Sequence, residues 1–289
     1  MASALNTKIN SYALERGIEF DSAYPTTSPF IGPRTGTSPL GNFAKNTTAN
    51  IVWEPSIGPI GGSGSWKLQT STTPATNSYV RGTTASATEL AGMADNDWSV
   101  GFWFKLNDLP TGNSLSALGL LQLGDSNSGI TASISGPSSS HGVKLYVVKN
   151  LYGGITNIHP NAFVTNRWYY FAVTRSGNAH TLYLDGMQIL TFNSSTTGTA
   201  STLMWGDTSA RVWNGSWNIS NYYLAPTSVV GATQISEIWT VGSTPPSTRT
   251  VKYFNGTSWV DSIGQKVWNG TAWVDWNAKR FDGSNWVVV

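Results

Sequence analysis

The residues of this chain best suited to chemistry are aromatic rather than acidic or nucleophilic. Over 204–223, MWGDTSARVWNGSWNISNYY, the rings of Trp205, Trp213, Trp217, Tyr222 and Tyr223 alternate with Asp207, Arg211, Gly, Asn and Ser. Flat apolar faces interleaved with short polar groups suit sugar rings, which present C–H faces and hydroxyls together. Trp205, Asp207, Trp213, Trp217, Tyr222 and Tyr223 are therefore the candidate carbohydrate-binding residues, with 217–223 read as loop. The competing reading puts Trp205 and Trp213 on strands, packed in a core.

Other chemistries find little support. Glu15, Glu19, Glu54, Glu89 and Glu237 are scattered, and most Asp residues sit beside Gly or Asn in turns. No Gly-x-Ser-x-Gly nucleophile elbow occurs, and His141, His159 and His180 lack ligand spacing. The run 61–67, GGSGSWK, resembles a phosphate loop only superficially, because Lys67 does not follow the last Gly directly and no helix former comes after it.

A binding surface needs a scaffold, and its pattern is clearest over 166–189, NRWYYFAVTRSGNAHTLYLDGMQI. Residues 168–174 are almost all aromatic or β-branched, and Ser176-Gly177-Asn178 breaks the run with turn chemistry. His180 opens a second strand, where it packs or points to solvent, with Leu182 and Leu184 on one face and Tyr183 on the other. Asp185-Gly186 supplies the positive φ of a tight hairpin before 187–190 returns. Upstream, 97–106 (DWSVGFWFKL) sets Trp98, Val100, Phe102, Phe104 and Leu106 against Ser99, Gly101, Trp103 and Lys105. The spacing predicts one antiparallel sheet system.

In order and spacing, DWSVGFWFKL, NRWYYFAVTR and LYLDGMQI resemble the laminin-G-like branch of the concanavalin A-like lectin/glucanase superfamily, over residues 43–241. The resemblance implies an all-β jelly-roll sandwich of two antiparallel sheets, a fold that binds carbohydrate or protein more often than it catalyses. Glucanases of that superfamily carry Glu-x-Asp-x-Glu on one strand, which sets the two carboxylates on the same face. That triplet is missing from this sequence, so no catalytic residue is assigned and no reaction is implied. Relatives often hold Ca²⁺ at a loop rim, and the oxygen-rich places here are Asp95-Asn96-Asp97, Asp125-Ser126-Asn127 and Asp207. Asp95, Asp97 and Asp125 are the candidate metal carboxylates; turn formation explains the same residues without a metal, and no cofactor is required.

Composition narrows the setting. Charged residues make up 11% of the chain, against about 25% in an ordinary soluble domain, so Ser, Thr, Asn and Gly must coat the surface. A net charge of +2 with no basic run argues against nucleic acid. No apolar window is long enough for a membrane helix, and the first residues carry no apolar export segment. Cysteine is absent, which removes any disulfide framework. Such a surface without cysteine or export signal fits a protein made in a bacterial cytosol and released in a particle, on the exterior of a bacteriophage virion.

The ends differ from the middle. Residues 1–42 show no sustained period, and Pro25, Pro29, Pro33 and Pro39 interrupt regular structure. They are expected as an extended N-terminal arm on a neighbouring virion protein, or as an ordered loop with one edge strand on the sandwich. Residues 87–93 offer one short helix, 235–241 (ISEIWTV) resembles a closing strand of the laminin-G-like domain, and 242–250 reads as a linker. Beyond it, KYFNGTSWVD, KVWNGTAWVD and KRFDGSNWVV form an internal repeat over 251–289. Each unit reads as a hairpin with Asn255-Gly256, Asn269-Gly270 or Asp282-Gly283 as its type I′ pair. Phe254 and Trp259, Trp268 and Trp273, and Phe281 and Trp286 then meet across the strands.

These Trp-rich units resemble the C-terminal repeats of minor tail and fibre proteins from phages of Gram-positive hosts. The resemblance implies a virion structural protein whose sandwich adheres to host-surface carbohydrate, and homo-oligomerisation, trimeric as in fibres. The alternatives are a capsid decoration or head-fibre protein with an architectural role, and a cell-wall polysaccharide hydrolase.

Overall fold

The computed structural model describes residues 4–12, 17–18, 30–31, 43–45, 50–60, 64–69, 79–82, 97–109, 117–123, 130–135, 144–149, 157–159, 163–193, 203–206, 215–225, 228–243, and the strands of the repeat region. The chain divides into two units, 1–245 and 246–289.

The first unit is built on two antiparallel sheets. One runs in spatial order β14 (Met187–Asn193), β13 (Ala179–Leu184), β12 (Trp168–Ser176), β7 (Trp98–Leu106), β16 (Ser216–Ala225), β5 (Ser65–Gln69) and β4 (Asn50–Glu54), and β1 (Gly17–Ile18) also pairs with β16. The other runs β11 (Asn157–His159), β10 (Lys144–Lys149), β9 (Ile130–Ser135), β8 (Ala117–Leu123), β15 (Leu203–Gly206), β6 (Tyr79–Gly82), β3 (Phe43–Lys45) and β2 (Phe30–Ile31). This is the expected all-β sandwich.

Its centre follows the alternation of the sequence. Phe102 and Phe104 on β7 stand opposite Phe171 and Tyr169 on β12, and Val100 stands opposite Val173. These side chains join Leu182, Leu184, Trp217, Ile219, Trp66 and Leu68 with Leu120, Leu121, Ala132, Ile134 and Leu145 of the second sheet in one buried core. Burying an aliphatic or aromatic side chain of this kind contributes roughly 1.5–3 kcal/mol. The β13–β14 turn has positive φ at both Asp185 (51°) and Gly186 (76°), as a two-residue hairpin of this hand requires.

The opposite face of the first sheet is also covered, by two helices that the sequence reading lacks. α1 (Ala4–Ser11) buries Leu5 and Ile9, and α2 (Ala232–Ser243) buries Ile235, Ile238 and Gly242. They pack with Trp103, Tyr170, Ala172, Tyr183 and Tyr223 in a second core. The expected extended arm is thus corrected at its start: Leu5, Ile9 and Tyr12 stand at helical spacing, and β1 and β2 add strands to the two sheets. The expected closing strand at 235–241 is also corrected, since it lies inside α2, and Gly242 and Ser243 belong to that helix rather than to a linker. β-Branched residues suggested a strand, but buried positions three and four apart select a helix. Gly231 opens it: the Gln234 side chain accepts the Gly231 N–H at 2.9 Å, half of a capping box. Residues 87–93, the short helix expected from sequence, lie outside the described residues.

The second unit holds three separate two-stranded sheets: β17 (Lys252–Phe254) with β18 (Trp259–Asp261), β19 (Lys266–Trp268) with β20 (Trp273–Asp275), and β21 (Lys279–Phe281) with β22 (Trp286–Val288). Phe254 stands opposite Trp259, Trp268 opposite Trp273, and Phe281 opposite Trp286. The expected turn pairs Asn255-Gly256, Asn269-Gly270 and Asp282-Gly283 lie outside the described residues.

Candidate functional site

The proposed aromatic segment is largely core. Trp217, Tyr222 and Tyr223 lie on β16, not in a loop, and are 0% exposed. Trp217 and Tyr222 face the sandwich interior, while Tyr223 faces the helices. Their rings are closed off from a sugar, so these three carbohydrate assignments are withdrawn. Trp205 is on β15 opposite Val80; Asp207 and Trp213 lie outside the described residues.

A β-bulge explains how two adjacent tyrosines are both buried. Ser220 pairs with Trp103 and Tyr223 with Gly101, so β16 uses one residue more than β7 across that step. Asn221 carries a positive φ of 46° there. Strict alternation would put Trp217, Ile219, Asn221 and Tyr223 on one face. The bulge instead sends Tyr222 inward with Trp217 and Ile219, and Tyr223 outward. There the Tyr223 and Tyr170 hydroxyls meet at 2.7 Å. Burial pushes both phenols upward from their ordinary value, far from any role as a base.

Of the three candidate metal carboxylates, Asp97 is the one that lies among the described residues. Asp97 Oδ1 accepts the Gly177 N–H at 2.7 Å, so this carboxylate fastens the β12–β13 turn. Asp95 and Asp125 lie outside the described residues. His180 is buried, stacked on Phe192 at 5.1 Å and edge-on to Trp98 at 5.8 Å.

A partly exposed row crosses the first sheet on its helix-covered face, and the Trp168 at one end of it packs against the second core. Ladder registers place Trp168 opposite Lys105, Lys105 opposite Asn218, Asn218 opposite Lys67, and Lys67 opposite Val52, one row across five strands. Trp168, Lys105 and Lys67 are half-buried, and Val52 is 49% exposed. The Lys105 ammonium sits 5.6 Å from the Trp168 ring centroid, a cation–π contact. Beneath them Asn218 is fixed on both sides of its amide: it donates to Glu54 Oε2 at 2.6 Å and Ser65 Oγ at 2.9 Å, and its Oδ1 accepts from Asn107 at 2.7 Å. Desolvation lowers the Lys105 pKa, the Glu54 carboxylate opposes that shift, and Lys67 adds to it. Sequence reading missed this row because a lysine on the polar side of a strand carries no signal of its own. The signal lay in the register that aligns Trp168, Lys105 and Lys67.

Comparison with known proteins bears on the fold. A family model described as the concanavalin A-like lectin/glucanases superfamily matches residues 68–222, more than half of the chain. No curated protein matches it. Among solved structures, the binding domain of botulinum neurotoxin DC in complex with rat synaptotagmin II is similar at 14% identity and a TM-score of 0.50, over 78% of this chain and 51% of that one. The binding domain of botulinum neurotoxin serotype D is similar at 15% identity and a TM-score of 0.50, over 68% and 46%. The chain thus spans about half the length of these binding domains. With its two stacked antiparallel sheets and a family match from β5 into β16, the chain belongs to the concanavalin A-like lectin/glucanases superfamily.

Proposed function

We propose that this protein is a binding module whose sandwich adheres to carbohydrate through the outward row of the first sheet, as a structural component on the exterior of a bacteriophage virion. The observation that carries the adhesion reading is the row itself: a half-buried indole, two half-buried lysines and a buried amide network held in one register across the sheet. Sites on regular elements hold their groups in place better than sites on loops. The virion setting rests on the sparsely charged surface, the absence of cysteine and the Trp-rich repeats. A minor tail or fibre position and a homo-oligomeric state belong to the same proposal.

A hydrolase reading requires two opposed carboxylates. The row Trp168–Lys105–Asn218–Lys67–Val52 contains no carboxylate; Glu54 beside it accepts from Asn218 at 2.6 Å, and Asp108 accepts from both the N–H and the hydroxyl of Ser216 at 2.9 and 3.0 Å.

The test is retention on intact Gram-positive cells and on their stripped wall polysaccharide. Three proteins are compared: the full chain, a truncation after Pro246 that leaves α2 whole, and the full chain carrying Trp168→Ala. Binding that survives truncation and falls with Trp168→Ala supports the proposal. Binding lost only with the repeats moves recognition to the hairpins, and no binding by the full chain favours the architectural, capsid-decoration role.

A further inference from the structure

Among the described residues the two lysines of the outward row take part in no ion pair, and no hydrogen-bond acceptor reaches them. Glu54 is near enough to be felt electrostatically by Lys105, but its Oε2 accepts from Asn218. Lys105 is held over the Trp168 ring rather than left to sample solvent. The positive charge is therefore both half-buried and positioned, in a chain with few charges to place.

The spacing of the pair adds a constraint. Lys105 on β7 and Lys67 on β5 flank Asn218 in register, so they stand two strand spacings apart, about 10 Å. Like charges on neighbouring strands repel, and the Glu54 carboxylate that draws Lys105 the other way is itself engaged by the Asn218 amide. A linear ligand with a negative group on every second sugar would supply one anion to each lysine, while the indole edge and Val52 meet its C–H faces. Lysine presents a point charge and suits a single carboxylate oxygen, whereas paired phosphate oxygens favour the arginine fork.

We infer that the row Trp168–Lys105–Asn218–Lys67–Val52 binds an acidic polysaccharide that carries carboxylates on alternate residues. This rests on the adhesion reading above and narrows it to one ligand class.

The experiment is calorimetric titration of the full chain with three polymers: an alternating uronate-containing glycan, a neutral glucan, and a glycerol phosphate polymer. Lys105→Met, Lys67→Met and the double variant are titrated alongside, with melting curves to establish folding; Lys67→Glu serves if Lys105→Met does not fold. The uronate polymer is expected to bind in preference to the other two, to weaken by about fivefold with each lysine removed, and to weaken further as salt shortens the screening length. Equal affinity for the neutral glucan overturns the acidic class while leaving adhesion standing. Preference for the phosphate polymer, or uronate binding unchanged in the double variant, overturns the inference as well. Failure of every polymer to bind, together with failure on cells, removes the adhesion reading itself.

Discussion

The ring of Tyr223 occupies the space that a side chain on Gly101 would need: a β-carbon built there lies 2.5 Å from the ring's Cε1, Cζ and hydroxyl oxygen. The two residues face each other across the β7–β16 ladder, where the bulge has turned Tyr223 toward the helices. Gly101→Ala is expected to destabilise the first unit by roughly 1–3 kcal/mol, the usual range for overpacking. Thermal melting of Gly101→Ala, Tyr223→Ala and the double variant checks this. The double variant should lose less than the sum of the singles, and strict additivity would show that the two side chains do not compete.

The Tyr170–Tyr223 hydroxyl pair is buried and mutual. Tyr170→Phe leaves the Tyr223 hydroxyl without that partner and is expected to cost about 1–3 kcal/mol. Replacing both by Phe should cost less than twice as much, because no hydroxyl is then stranded. Denaturant melts of the three variants give the coupling energy, and a coupling near zero would assign the pair no part in stability.

Asp185 has two tasks in one turn. It adopts positive φ beside Gly186, and its Oδ1 accepts the buried Tyr170 N–H at 2.9 Å while Oδ2 takes Arg167 at 2.6 Å. Asp185→Ala is expected to cost about 1–3 kcal/mol by orphaning the amide, and Asp185→Asn distinctly less, since Asn tolerates the same backbone and keeps an acceptor. Equal losses in the two melts would count against the hydrogen bond as the cause.

The α1–α2 contact should depend on pH at both ends. Hydrogen bonds from Lys8 and then Tyr12 lower the Glu237 pKa from its ordinary 4.5, and the Glu237 hydrogen bond raises that of Lys8 from 10.5. The Glu237 contribution is present above its unfolded value and lost as pH falls through its depressed one. The Lys8 contribution is present below 10.5 and lost as pH rises through its raised value. Hydrogen exchange in α1, read at the Tyr12 N–H bonded to Ile9 O, should quicken beyond its intrinsic pH trend in acid, and Glu237→Gln should abolish that excess. An excess in acid that persists in Glu237→Gln would place its cause elsewhere.

The parts of the fold legible in the sequence are those where one rule acts alone. β7, β12 and β13 alternate cleanly, and Asp185-Gly186 marks its hairpin because little else adopts that backbone readily. β16 misleads, because its bulge lets Tyr222 and Tyr223 serve two cores and because both faces of its sheet are covered. Aromatic density there records burial on two sides rather than a surface for sugar. α2 misleads for a related reason: Ile235, Ile238 and Val241 have strand-forming side chains, and packing against Trp103 and Tyr170 overrides that preference. The outward row was illegible because its members come from β4, β5, β7, β12 and β16, and only pairing brings them together.

The contact between α1 and α2 also settles a matter of chain routing. Tyr12 and Lys8 from α1 meet Glu237 on α2, so residues 225 positions apart in the chain are clasped together. The entropic cost of closing so long a loop grows only slowly with its length. Every strand of the sheet row lies inside that loop, so the clasp ties the row's strands into one closed circuit.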